Sequence, residues 1–311
     1  MSEPVWMAPD ARVDDLVAPA PPPVPAAPSR TEEATPELPV PLRPMNGGDR
    51  LDGALRALRI APRTVVTLAA LAVVPVQLLS VLLLPGPADP GQATWEPMLG
   101  RAMVTILADD DPSRVLRGFV LLAIESLALS FVAAGLTVLI GGWYTGIRRS
   151  TAEVVAAAAR RLPALAVAWL VVHAVEVASS LLFVLTALLP MALFSVVAPV
   201  VGAEGAGPLT AVRRSFRLTK RTLPLVLGTC LTVALVDVTL RGLLTVVAAA
   251  YAESELPARR AAVVLVAMAV RLLTVPFVAG SAALLYLDLR VRLEGLDIEL
   301  AAQERFPVAS P

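Results

Sequence analysis

Four predominantly apolar stretches, Thr64–Leu84, Gly118–Trp143, Leu223–Tyr251 and Ala261–Leu287, each run for at least 21 residues. A helix rises about 1.5 Å per residue and needs about 20 residues to cross roughly 30 Å of hydrocarbon, so each stretch is long enough for one crossing. Lipid offers no partner to a backbone N–H or C=O, which leaves the α-helix as the form such runs take. A fifth run, Ala164–Val201, has 38 residues. As one helix it would measure about 57 Å, nearly twice the bilayer. Two spans, 164–181 and 184–201, fit the thickness, with a turn between Ser179 and Pro190. The alternative is one long helix, kinked at Pro190, whose end lies along the surface.

Charge placement separates six crossings from five. With the N-terminus inside and six spans, the inner segments carry Arg50, Arg56, Arg59, Arg63, Arg148, Arg149, Arg160, Arg161, Arg213, Arg214, Arg217, Lys220, Arg221, Arg290, Arg292 and Arg305. The outer segments carry Arg101, Arg114, Arg117, Arg259 and Arg260. Basic residues concentrate on the cytoplasmic side of membrane proteins, and five spans would put the Arg213–Arg221 cluster and the C-terminal arginines outside. The expected architecture is therefore an all-α, polytopic transmembrane bundle of about six spans (64–84, 118–143, 164–181, 184–201, 223–251 and 261–287). Both termini are expected on the cytoplasmic side of a bacterial inner membrane. Over the whole chain 26 basic residues balance 26 acidic ones, so no global field exists to attract nucleic acid.

Outside the spans, residues 1–45 contain twelve prolines and no helical or alternating apolar period, the composition of a disordered cytoplasmic tail. They also lack the basic start, apolar core and cleavage site of a signal peptide. The membrane domain is expected over 46–301, with a short flexible tail at 302–311. Three inner segments read as interfacial amphipathic helices. Asp49 is placed to cap a helix that puts Leu51, Leu55 and Leu58 on one face. Ser150 and Glu153 have capping-box spacing ahead of Val154–Arg161, which Pro163 ends. Pro208 suits a first helical position before Leu209, Val212 and Phe216, which alternate with Arg213, Arg214, Arg217, Lys220 and Arg221. Basic faces of this kind are attracted to anionic headgroups by roughly 1 kcal/mol per Lys or Arg near the surface.

Six ionisable residues fall within the spans: Glu125, His173, Glu176, Asp237, Arg241 and Arg271. Insertion scales put the cost of Arg or Asp at a span centre at roughly 2.5–3.5 kcal/mol, so each should face the bundle interior. Asp237 and Arg241 are four apart and His173 and Glu176 three apart, so each pair shares a helix face. One reading is an ion or proton relay through Glu176, His173 and Asp237. The other is structural, with Asp237 neutralising Arg241 and with Glu125 or Glu176 neutralising Arg271.

Several function classes are disfavoured. One histidine and one cysteine, Cys230, cannot make the usual Cys/His metal site or an internal disulfide, and no cofactor is indicated. Ser281 follows Gly280 within an apolar span with no histidine placed to activate it, so no catalytic residue is assigned. Asp109–Asp110–Asp111 lacks calcium-loop spacing. Gly202, Gly205 and Gly207 follow a membrane span rather than a strand, which argues against a phosphate loop. Gly142 and Gly146 have the small-xxx-small spacing of close helix contacts, beside Trp143 and Tyr144, which suit the headgroup belt.

Three segments carry a family resemblance: Leu42–Arg43–Pro44 with Gly48–Ala54 and Arg59–Arg63; Gly207–Thr219; and, most specific, Tyr286–Leu300. They are similar to uncharacterised actinobacterial proteins that resemble the membrane domain of glycerophosphoryl diester phosphodiesterase. The resemblance implies the membrane architecture without the catalytic barrel, and names no catalytic residue. Where that family has a Pro-Gly break in its fourth span, this chain has Pro190-Met191. The expected role is a non-enzymatic scaffold or accessory subunit that contacts lipids or partner proteins through Arg213, Arg214, Arg217, Lys220, Arg221, Tyr286, Asp288, Arg290 and Arg292. The alternative is a transporter or channel using the buried charges.

Overall fold

Over their described residues, four of the five long apolar runs each lie within one helix, the form that satisfies the backbone inside a single segment. The computed structural model describes residues 38–83, 112–180, 188–252 and 257–305. In chain order the helices are α1 (Gly47–Ile60), α2 (Pro62–Leu83), α3 (Pro112–Tyr144), α4 (Thr151–Arg160), α5 (Leu162–Ser180), α6 (Leu188–Leu193), α7 (Val197–Glu204), α8 (Pro208–Thr219), α9 (Leu223–Ala252), α10 (Pro257–Glu294) and α11 (Leu296–Arg305). A single 3₁₀ turn, Lys220–Thr222, joins α8 to α9. No strand occurs among the described residues. Among the described residues, five segments are long and apolar enough to cross a membrane: Pro62–Leu79, Ala123–Tyr144, Leu162–Ser179, Pro208–Leu240 and Met268–Glu294.

The expected span 184–201 is the main departure. Its described part is two short helices, α6 and α7, broken at Phe194–Val196, and Leu188–Glu204 ranks only as a shorter apolar helix. Pro190 does not cause the break, since a proline disturbs the helix at the carbonyl four residues before it, whereas the break lies after it at Phe194–Val196. Pro199 does. It has no N–H to bond the Ser195 carbonyl, and its ring excludes a helical carbonyl there. The chain nevertheless returns to where it started, because Arg161, just before α5, donates through Nη1 to the Gly202 carbonyl near the end of α7. That contact rules out one long helix over 164–201, which would separate these residues by its whole length.

Caps set the short helices. Asn46, not Asp49, is the N-cap of α1; Asp49 is its reciprocal partner, accepting from the Asn46 N–H at 3.1 Å. Ser150 and Glu153 form the expected capping box on α4, and Pro208 begins α8. The tail is shorter than its composition suggested. Val40 and Met45 are buried in the core, and Tyr144 donates its hydroxyl to the Val40 carbonyl at 2.6 Å. An irregular segment tied by its backbone leaves no apolar period to read. At the other end, α11 continues to Arg305, so the C-terminal tail expected from 302 is helical for four more residues. Residues 1–37, the Asp109–Asp111 cluster and residues 306–311 lie outside the described residues.

At the centre, α3 packs against α2, α4, α7 and α10, and α10 also meets α1, α2 and α9. Residues Phe131–Ile140 of α3 are buried on every side. Lipid is as apolar as leucine, so helices in a membrane gain by close approach through small residues. Gly202 of α7 supplies one: a Cβ there would lie 2.7 Å from the Ala134 Cα of α3. Gly280 of α10 meets Ala54 of α1 in the same way, at 3.3 Å. Gly142 and Gly146 are not such a contact. The Gly142 carbonyl accepts the Ile147 N–H at 2.8 Å and Gly146 adopts φ +70°, so both serve the turn that ends α3.

Candidate functional site

At the end of the bundle where α3 and α10 finish, the acids Asp288, Glu204 and Glu294 divide the nearby basic residues into two sets. The first is neutralised. Asp288, fully buried on α10, accepts from the Met45 N–H at 2.7 Å, Arg50 Nη1 at 2.8 Å and Arg292 Nε at 2.9 Å. Arg50 and Arg292 also donate to the Met45 carbonyl, at 3.0 and 2.6 Å. One carboxylate and the backbone N–H and C=O of one residue thereby fasten the entry of α1 to α10. Burial pulls the Arg50 guanidinium below its ordinary value while Asp288 pushes back, and its Nε has no partner. A second knot joins α7, α8, α10 and α11. Arg214 reaches Glu204 at 2.9 Å and Glu294 at 2.5 Å, Arg290 reaches Glu294 at 3.0 Å and Glu299 at 3.6 Å, and the Tyr286 hydroxyl donates to Glu204 at 2.8 Å.

This geometry corrects part of the sequence reading. Tyr286 and Asp288 are both 0% exposed, so neither has surface to offer a headgroup or a partner. Arg214, Arg290 and Arg292 spend their charge inside the chain. The local motif was legible as basic and acidic, but its partners, Met45, Arg50 and Glu204, lie more than 80 positions away in sequence. No local signal identifies them.

The second set is unpaired. Arg213, Arg217, Lys220 and Arg221 are exposed on α8 and its 3₁₀ turn, and none has an acidic partner among the described residues. The buried face of α8 consists of Ala211, Ser215, Leu218 and Thr219. Ser215 and Thr219 both donate to the Leu193 carbonyl at 2.8 Å, satisfying a group that the α6–α7 break has released. The apolar residues Leu209 and Phe216 therefore face outward, 54% and 40% exposed, on the same side as the free cations. Phe194, Val212 and Phe216 line an open groove with Arg213 and Arg217. Lys220 lies over the Phe216 ring at 5.3 Å.

Within the spans Arg271, Glu125, His173 and Glu176 lie against polar neighbours. Arg271 of α10 pairs with Glu125 of α3 at 2.7 Å. The adjacent Ser126 accepts from Trp169 Nε1 of α5, so consecutive residues of α3 hold two different helices. His173 stacks on Trp169 at 4.4 Å. Its Nδ1 lies 3.0 Å from the Trp169 carbonyl, which can only accept, so Nδ1 carries a proton and Nε2 faces Glu176 at 3.6 Å. Asp237 is half-buried on α9. Arg241 follows it one turn later, with its side chain outside the described ones. No cluster of three or more His, Cys, Asp or Glu suited to a metal occurs among the described residues. No family model, curated protein or solved structure matches the chain.

Proposed function

We propose that this chain is a non-enzymatic integral protein of a bacterial cytoplasmic membrane, acting as a scaffold or accessory subunit. It crosses six times, with the broken α6–α7 segment in the fourth crossing and both termini inside. It engages anionic lipid, and through it or beside it partner proteins, with the outer face of α8. The observation that carries this reading is the division of α8: Arg214 is turned inward and doubly neutralised, while Arg213, Arg217, Lys220 and Arg221 are left free beside exposed Leu209 and Phe216. Apolar side chains flanked by cations are the chemistry of the acyl–headgroup boundary. The likeness of Gly207–Thr219 to the actinobacterial membrane-domain family agrees with this placement. Pairing of Glu125 with Arg271 supports a structural role for the span charges over an ion path.

Gentle purification from native membranes, followed by mass spectrometry of the retained lipids and proteins, tests the reading. The wild type should retain anionic lipid or a stoichiometric partner. The variant Arg213→Gln/Arg217→Gln/Lys220→Gln/Arg221→Gln should lose it, and Arg56→Gln should not. Equal lipid and protein content in all three would reject the proposal.

A further inference from the structure

A separate cavity of about 280 Å³ opens at the same end of the bundle, between the end of α3, the start of α5, the end of α7, and α10 and α11. Its charged lining is one-sided: Arg149, Arg161 and Arg290, with no carboxylate, beside Gly142 and Tyr144. The nearby acids are committed elsewhere, Glu204 to Arg214 and Tyr286, and Glu294 and Glu299 to Arg290. Arg290 is thus compensated. Arg149 and Arg161 have no carboxylate partner among the described residues, and Arg161 holds only the Gly202 carbonyl. Burial and the like charges of Arg149 and Arg160 pull the Arg161 guanidinium below its ordinary value. Two cations beside each other and short of counter-charge are stabilised when an anion joins them.

We infer that this cavity is a phosphate-binding site, in which a phosphate monoester or a phospholipid headgroup bridges Arg149 and Arg161. Guanidinium forks match phosphate oxygens, and about 280 Å³ lies near the lower bound for small-molecule sites, enough for a phosphate with a small substituent but not for acyl chains. Two features oppose an anion here: the exposed Glu153 carboxylate, which feels the Arg149 charge but is held by the Ser150 N–H at 2.7 Å, and the C-terminus of α3, since a helix end carries partial negative charge. Its last carbonyls are already occupied: Gly141 accepts from Thr145, and Gly142 from Thr145 and Ile147. The site goes beyond the lipid contact of α8 and uses none of its side chains.

The test uses the full chain in nanodiscs of phosphatidylcholine alone or with phosphatidic acid, and in detergent with inorganic phosphate titrated against chloride at equal ionic strength. Thermal midpoint is the readout. A rise with inorganic phosphate identifies a soluble phosphate ligand; a rise only with phosphatidic acid identifies the lipid headgroup. In either case Arg149→Gln, which leaves the Arg161–Gly202 bond intact, should weaken the response about tenfold or more, and Arg149→Lys should weaken it less. The α8 quadruple variant should keep the part of the response that depends on Arg149, which separates failure here from failure of the α8 reading. No rise in either arm, or an unchanged response in Arg149→Gln, overturns the inference and leaves the two arginines as mere companions of the α3 terminus.

Discussion

Replacing Asp288 by Asn removes one charge from the knot that fastens α1 to α10 and leaves its shape intact. Arg50 is 4% exposed and opposes an Asp288 that is 0% exposed. In the variant Arg50 stays buried and cationic without a counter-charge, and taking one partner from a buried pair costs about 3–5 kcal/mol. Arg292 is 30% exposed, so water replaces its share and it adds at most about 1 kcal/mol. The Met45 N–H keeps an acceptor in the Asn carbonyl, so that bond is not charged against the variant. The expected loss is therefore about 3–5 kcal/mol, roughly a hundredfold or more in the unfolding equilibrium. Thiol labelling of Cys230, the one cysteine of the chain, reports the equilibrium in mixed micelles. Asp52→Asn is the control, because it breaks an Arg56 pair that is more than half exposed and should cost under about 1 kcal/mol. Adding Arg50→Met to Asp288→Asn should restore most of the loss, since the stranded charge goes with it. If Asp288→Asn loses no more than Asp52→Asn, the electrostatic account of this end of the bundle is wrong.

Gly202→Val should cost about 1–3 kcal/mol in the same labelling assay by forcing α7 away from Ala134 of α3, whereas Gly207→Ala, which meets open space, should cost far less. The Glu153 carboxyl is held below its usual range by the Ser150 N–H and hydroxyl. Its contribution to α4 is therefore fully present above about pH 4.5 and is lost as pH falls through the lowered value. Amide exchange in the first turn of α4 should speed up on acidification, and Glu153→Gln should flatten that dependence. Glu125→Gln should destabilise the protein in the same labelling assay by removing a counter-charge from Arg271. Glu176→Gln should leave proton flux into proteoliposomes at the level of the wild type; a flux that Glu176→Gln abolishes would favour a relay over the structural reading.

The groove on α8 also shows what a basic amphipathic pattern fixes and what it leaves open. Alternation marks a helix with Leu209, Val212 and Phe216 among its cations, but it does not identify the face that α8 buries, which is Ala211, Ser215, Leu218 and Thr219. The α6–α7 break decides this, because the Leu193 carbonyl needs donors and two hydroxyls supply them. A buried carbonyl without a partner is costlier than an exposed leucine beside lipid.

By itself the sequence determined that this is an all-helical membrane chain, where the long helices lie, and that Ser150 with Glu153 and Pro208 begin two of the short ones. Those features follow from local rules: segment length against bilayer thickness, backbone satisfaction within a helix, and side-chain caps within three residues. Tertiary structure alone decided that Val40 and Met45 belong to the core, that Pro199 and not Pro190 breaks the return segment, and that Asp288 answers Arg50 across 238 positions. It also decided which arginines remain free. Charge in a sequence gives only supply, and whether an arginine is spent or available depends on which carboxylate the packing of distant helices brings within 3 Å or so of it.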